Sequence, residues 1–211
     1  MKIDRPLLPN ELPPQTFQHI FYEEDPELEY CFIQDCNFER ESLHRARLNK
    51  VIIKNGVFCQ TDFEQMDLFD VRFESCDLSN VNMRRSSIHR VEFINCKLMG
   101  VDFTESSLGN VLFQNTIGNM AMFGNSKLEK VIFDNTSLES ADFYDCKFKK
   151  VNFSSCNLDG VGFEETSLKD IDLTTCTFET LNVGMDSLKG CKVSTDQALH
   201  FAALLGLIIK E

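Results

Sequence analysis

The sequence predicts an all-β solenoid of about eight four-sided coils followed by a short α-helix, and three regularities carry that prediction. The first is a period of five. From Phe38 to Val193 every fifth residue is large and apolar (Phe38, Leu43, Leu48, Ile53, Phe58, Phe63 and onward), and only Gly118 breaks the series. Five matches neither the 3.6 of a helix nor the 2 of a strand, so each pentapeptide must turn one corner. The second is a period of twenty. The residue two before each centre is small or β-branched, and its identity recurs at that interval, as in Val51, Val71, Val91, Val111 and Val131 or in Ser86, Ser106 and Ser126. Phe73, Phe93, Phe113 and Phe133 likewise fall in one column of centres. Four pentapeptides per coil, with like side chains stacked, is the simplest structure that produces both periods. The third regularity is that both periods stop near the two ends.

Residues 1–35 form the expected lead-in. All five prolines (Pro6, Pro9, Pro13, Pro14 and Pro26) lie there, as they should if the remainder is a hydrogen-bonded ladder that proline would interrupt. The segment is acidic around Glu23-Glu24-Asp25-Pro26-Glu27. Phe17 and Phe21 are expected to cover the open end of the first coil, because a bare end is an unpaired edge that invites aggregation. No charged region followed by an apolar run marks a secretory leader, and no stretch is long enough to span a membrane. The expected location is the cytoplasm, with no membrane contact.

Residues 36–195 form the expected solenoid, roughly 35–40 Å long at the usual strand spacing. Centres and small residues should point inward and fill a narrow column. At Gly118 either neighbouring Phe side chains or a local distortion should fill the space, unless the gap is simply tolerated. Cys36, Cys76, Cys96, Cys146, Cys156, Cys176 and Cys191 all occupy the small inward position, so they read as free, buried hydrophobes rather than disulfides. Ala141-Asp142-Phe143, Val101-Asp102-Phe103, Val151-Asn152-Phe153 and Cys76-Asp77-Leu78 share a pattern of small residue, Asp or Asn, then Leu or Phe. In this the chain resembles the pentapeptide-repeat family, and the resemblance implies a right-handed, quadrilateral β-helix.

Residues 196–211 abandon period five. Ser194 or Thr195 suits a helix N-cap, Asp196 suits the positive end of a helix, and Gly206 is placed to end it. Ala198, Phe201, Ala202, Leu204 and Leu205 give an apolar helical face, followed by strand-like Leu207-Ile208-Ile209. The tail is similar to the end of the Qnr-type quinolone-resistance branch of that family, where such a segment joins two rods. That resemblance implies a homodimer through Ala198, Phe201, Ala202, Leu204, Leu205, Leu207 and Ile209; a cap on the last coil is the other reading.

Charge is the first pointer to function. With 33 acidic and 21 basic residues the net charge is −12, which argues against direct nucleic-acid binding. The column centred on Phe63, Phe103 and Phe143 is the most acidic, with Glu41, Asp62, Glu64, Asp102, Glu105, Asp142, Asp145, Glu164 and Glu165 against Arg45, Arg84 and Arg85. The face before it adds Glu39, Asp77, Glu139, Asp159 and Glu179 against Arg40 and Lys97, whereas the face after it is basic, with Lys127, Lys130, Lys147, Lys149, Lys150, Lys169 and Lys189. Corner hydrogen bonding explains Asp102 and Asp142, but not Glu64, Glu105, Asp145, Glu164 and Glu165. A rod with stacked carboxylates imitates a duplex in charge. The Qnr-type resemblance implies a DNA mimic that binds DNA gyrase or topoisomerase IV through Asp62, Glu64, Asp102, Glu105, Asp142, Asp145, Glu164 and Glu165. It would protect the enzyme from quinolones, inhibit it, or both. Many Qnr-type members carry loops between coils; here the register never breaks, which favours inhibition over protection.

A second reading stays open, in which the rod is a scaffold that binds another protein. Ile94, Met99, Leu112, Ile117, Met120, Met122 and Ile132 occupy positions that usually face outward, and either the N-terminal segment folds over them or they form a contact site. Catalysis is not expected. His19, His44, His89 and His200 are scattered, no Cys or His spacing fits a zinc site, and no glycine-rich phosphate loop is present, so neither cofactor nor metal is anticipated.

Overall fold

A computed structural model describes residues 1–22, 25–204 and 207–208. Seven eight-residue strands, β1 (Glu27–Gln34), β2 (Arg47–Lys54), β3 (Asp67–Glu74), β4 (Ser87–Ile94), β5 (Ser107–Gln114), β6 (Lys127–Asp134) and β7 (Lys147–Ser154), stack in parallel in sequence order. Each residue pairs with the one twenty positions on, so Val71, Val91, Val111 and Val131 form one straight column. Two short strands, β8 (Val161–Gly162) and β9 (Leu181–Asn182), pair in the last coils.

Each of the seven long strands wraps two sides of the coil, bent at its middle. The first side is centred on the Leu48 and Leu68 column and the second on the Phe73 and Phe93 column. Single bridges such as Asn37↔Val57 and Asp62↔Asn82 join the third side (Leu78, Leu98, Leu138) and the fourth (Phe63, Phe103, Phe143). The ladder begins at Glu27, earlier than the 36 read from the sequence, because Leu28 and Ile33 already stand on the period-five register.

From Tyr30 to Asp170 the corner residue, two after each centre, is left-handed, for example Arg45 at φ 60° and Asn55 at φ 53°. That conformation is uncommon for a residue with a Cβ. It persists where the corner N–H donates to a carbonyl of the next coil, as in Arg40 to Cys59 at 3.0 Å and Asn80 to Met99 at 2.8 Å.

The core explains the small inward positions. Phe73, Phe93, Phe113, Phe133 and Phe153 stack with centroids 4.8–5.1 Å apart, and Phe103, Phe123, Phe143 and Phe163 do so at 4.6–5.4 Å. Only a small side chain fits beside such rings, and its polar atom has a task. Ser106 Oγ donates to the Met83 carbonyl at 3.0 Å and accepts from the Ser86 N–H at 3.0 Å. Cys146 Sγ likewise donates to the Phe123 carbonyl. All nine cysteines are free, and burial pushes the Cys31 thiol up to about 11. At Gly118 the space is taken by Leu138 of the next coil, whose Cδ2 lies 3.2 Å from where a Cβ would stand, rather than by a Phe ring.

The two ends close differently. Phe17, in a short 3₁₀ turn (Phe17–Tyr22), is buried against Phe38, Phe58 and Phe63, and Ile20 is buried beside it. The Phe21 side chain lies outside the described residues. At the other end α1 (Thr195–Leu204) starts with a capping box: Gln197 N–H donates to Ser194 Oγ at 3.2 Å and Ser194 N–H to Gln197 Oε1 at 2.9 Å. Gln197 Nε2 also donates to the Leu173 and Cys176 carbonyls, which docks the helix on the last coil, and Phe201 packs against Phe178.

The lead-in does more than cap. Residues 1–16 run back along the corner between the first and second sides as a strap. Beside Pro14, Phe32 N–H donates to Pro13 O and Gln15 N–H to Phe32 O, both at 2.9 Å. Further along, Leu7 N–H donates to Asp70, Arg5 pairs with Glu92, and Asp4 meets Asn110 and Lys130. Ile3 is buried.

Candidate interaction surfaces

Stacking at twenty residues makes the residue one coil away the nearest neighbour of every outward side chain. In the first half of the rod those neighbours mostly have opposite charge. Lys54 pairs with Glu74 at 3.0 Å, Arg72 with Glu92 at 2.8 Å, Arg90 with Asp70 at 2.6 Å and Lys97 with Asp77 at 3.5 Å. Opposite charges placed so stabilise the ladder modestly, and like charges destabilise it.

The fourth side follows that rule up to residue 105. Arg85 reaches Glu105 at 2.8 Å and Glu64 at 3.2 Å, and Arg84 reaches Glu105 at 3.4 Å and Asp102 at 3.9 Å. Asp62 accepts from Asn82 at 2.7 Å and contacts His44 at 3.1 Å. Four of the carboxylates predicted to form a partner-binding stripe (Asp62, Glu64, Asp102 and Glu105) are therefore engaged within the rod. Sequence sorting by face counted Arg84 and Arg85 but could not assign them to particular acids.

Beyond residue 135 the rule fails on two sides at once. Glu139, Asp159 and Glu179 stack in one column of the third side, and Asp145 and Glu165 in one column of the fourth. Among the described residues none of these five, nor Glu164, makes an ion pair. The Asp142 carboxylate accepts from the Tyr144 N–H at 3.1 Å; burial, aided by the Glu164 charge, pushes its carboxyl above the usual range. Asp159 is held below that range by the Thr180 and Glu179 N–H groups, at 2.8 and 3.0 Å. On the first side Lys127 stands directly opposite Lys147. Lys149 reaches Glu129 at 2.6 Å, but Lys127, Lys147, Lys150 and Lys169 have no acidic partner among the described residues.

The outward apolar positions divide into two groups. Leu112 is buried, and Ile94 and Ile132 are half-buried, on the second side that borders the strap. Met99, Ile117, Met120 and Met122 remain 39–54 % exposed at the corner of the third and fourth sides. Met122 bridges Asp102 and Asp142, so this patch abuts the unpaired carboxylates.

In the tail, Ala198 and Leu207 are exposed while Phe201 and Ala202 are half-buried on the last coil. Leu207 and Ile208 form no strand, contrary to the pattern read from the sequence; Leu207 N–H donates to the Ala202 carbonyl instead. Leu205, Gly206, Ile209 and the Leu204 side chain lie outside the described residues.

Sequence reasoning missed the charges beneath the strap. Asp70 and Glu92 side chains are each 1 % exposed, held by Arg90 and by Arg5 with Arg72. The available signal was Leu112, an apolar residue at an outward position that implied a cover. Among the described residues no three His, Cys, Asp or Glu side chains converge as a metal site, and no helix is long and apolar enough to cross a membrane.

A family model described as "Pentapeptide repeat region" matches residues 66–143 and 126–198. No curated protein sequence matches significantly. Among solved structures, a trypsin-treated variant of QnrB1, described as a plasmid-mediated fluoroquinolone resistance protein, is 23% identical, covering 87% of this chain and 90% of that one at TM-score 0.49. HetL, a pentapeptide-repeat protein involved in heterocyst differentiation regulation from the cyanobacterium Nostoc sp. strain PCC 7120, is 13% identical, covering 83% of this chain and 92% of that one at TM-score 0.41. A pentapeptide-repeat protein of the Arabidopsis thaliana thylakoid lumen is 18% identical, covering 44% of this chain and 65% of that one at TM-score 0.42.

Proposed function

The chain belongs to the pentapeptide-repeat family, and from that premise we propose that it is a non-catalytic DNA mimic that binds a type II topoisomerase such as DNA gyrase. One observation supports this most. One coil carries Glu139, Asp142 and Asp145, and the next carries Asp159, Glu164 and Glu165, all on two adjacent sides. At a coil rise of about 4.8 Å, three carboxylates per coil give about one charge per 1.6 Å of axis. A duplex presents one per about 1.7 Å. The match in charge density holds only in this half of the rod, where no arginine neutralises it. Stacked like charges cost stability, so a rod that keeps them gains something in exchange, and a positively charged partner surface would supply it.

Binding then competes with duplex for the same basic surface, and lowers supercoiling activity. Two rods joined through the C-terminal tail would double the length of the acidic track. The deciding experiment is a gyrase supercoiling assay titrated with the protein, with and without a quinolone. Loss of inhibition on replacing Glu139, Asp145, Asp159, Glu164 and Glu165 by Gln or Asn supports mimicry; unchanged inhibition refutes it. A scaffold would instead bind through its exposed apolar patch, with inhibition absent even for the wild type.

A further inference from the structure

The exposed methionine patch belongs to the same surface as the free carboxylates, and charge mimicry alone leaves it unexplained. Met120 and Met122 stand one coil below Ser140 and Asp142, with Glu139 and Asp145 on the same two sides. Met99 and Ile117 complete the cluster on the third side. Elsewhere on these sides the outward positions are mostly charged or polar, for example Asp77, Ser79, Asn82 and Arg84. A contiguous apolar cluster rimmed by charge is the usual anatomy of a binding hot spot. Methionine suits that role because its unbranched thioether adapts to the shape presented to it.

We infer that Met99, Ile117, Met120 and Met122 form the apolar anchor of this interface, and that its partner is a basic protein surface carrying a protruding apolar side chain. This rests on the topoisomerase reading above. Two arguments identify the occupant. The rim is acidic on the side of Glu139, Asp142 and Asp145, so the complementary surface is basic there. Proteins that bend DNA press an apolar side chain between base pairs while cations grip the phosphates on either side. A protein imitating bent duplex needs a yielding apolar surface beside its false phosphates, and this corner offers one. An unbent mimic needs only charge.

The test measures affinity of the full-length protein for DNA gyrase across a range of salt. Met120→Ser with Met122→Ser and Ile117→Ser changes exposed side chains only, and an unchanged melting curve verifies the fold. Affinity should fall on the order of 10-fold or more, by a similar factor at low and high salt, since desolvation is not screened. Met120→Leu should restore part of it. The carboxylate variant should lose affinity mainly at low salt and flatten the salt slope. Wild-type affinity in the serine variant, with the carboxylate variant still impaired, overturns the anchor and leaves the topoisomerase reading standing. Loss in the serine variant alone keeps the anchor and removes charge mimicry. No gyrase binding by the wild type removes both.

Discussion

Replacing Arg90 by Leu should destabilise the protein by about 3–5 kcal/mol near neutral pH, the usual cost of stripping the partner from a buried charge. Arg90 holds Asp70 through two hydrogen bonds, 2.6 Å from Nε and 2.8 Å from Nη2. The Asp70 side chain is 1 % exposed, and among the described residues the Leu7 N–H at 2.8 Å is the one hydrogen-bond donor that would remain to it. Burial by itself pushes the Asp70 carboxyl up; the Arg90 and Leu7 hydrogen bonds outweigh it and hold the carboxyl below the usual carboxylate range. In the wild type the depressed value contributes stability that is present above the unfolded value of about 3.9 and lost as pH falls through the lower folded value. Without Arg90 burial prevails and the sign reverses. The folded carboxyl then binds its proton more tightly than the unfolded one, so the penalty grows as pH rises above about 4. Urea melts followed by circular dichroism at pH 7 and pH 4 measure both effects. The penalty should shrink markedly at pH 4, and Asp70→Leu with Arg90→Leu should recover much of the loss at pH 7. A penalty that is equal at both pH values, or equal in the single and double variants, would refute the buried-charge account.

Other outcomes can be checked directly. Phe113→Ala should cost about 3–5 kcal/mol in denaturant melts, because the ring is stacked between Phe93 and Phe133 at 5.0 and 4.8 Å and neither can collapse into the gap. Deleting residues 196–211 should convert an elongated dimer to a monomer in light scattering; a wild-type monomer at micromolar concentration would leave the tail as a cap alone. Lys147→Glu with Lys149→Glu, on the side opposite the third, should leave gyrase inhibition intact or strengthen it. Inhibition by the wild type should also weaken as salt rises, because it depends on opposed charges.

Periodicity made the coil, its four sides and its inward columns legible, since a side chain at position i must meet those at i+20. The stack from Phe73 to Phe153 and the free cysteines follow from that rule alone. Three features escaped it. The ladder's start at Glu27 was hidden because Pro26 and the acidic run before it interrupt the composition, although Leu28 and Ile33 keep register. The tying of Glu64 and Glu105 by Arg85 depends on which way a long side chain reaches between coils. The strap has no period at all, and its Asp4 finds Asn110 and Lys130 across more than a hundred residues. Of the predicted stripe, Asp142, Asp145, Glu164 and Glu165 emerge free of ion pairs among the described residues, the Asp142 carboxylate accepting a backbone N–H, whereas its first half is neutralised.

A stacked array ordinarily communicates only between adjacent layers, so its ends unravel one layer at a time. The strap changes that arithmetic. It is fastened beside Phe32 in the first layer and again at Asp70, Glu92 and Lys130 in later ones, so peeling the first layer also breaks contacts several layers away. Those layers are thereby welded into one cooperative unit, while the coils beyond residue 154 keep the piecemeal behaviour of a simple stack. Order of synthesis acquires a meaning too. The strap leaves the ribosome before the coils that it fastens, and Lys130 follows its partner Asp4 more than a hundred residues later. The strap therefore cannot finish docking until the sixth strand, which holds Lys130, is in place.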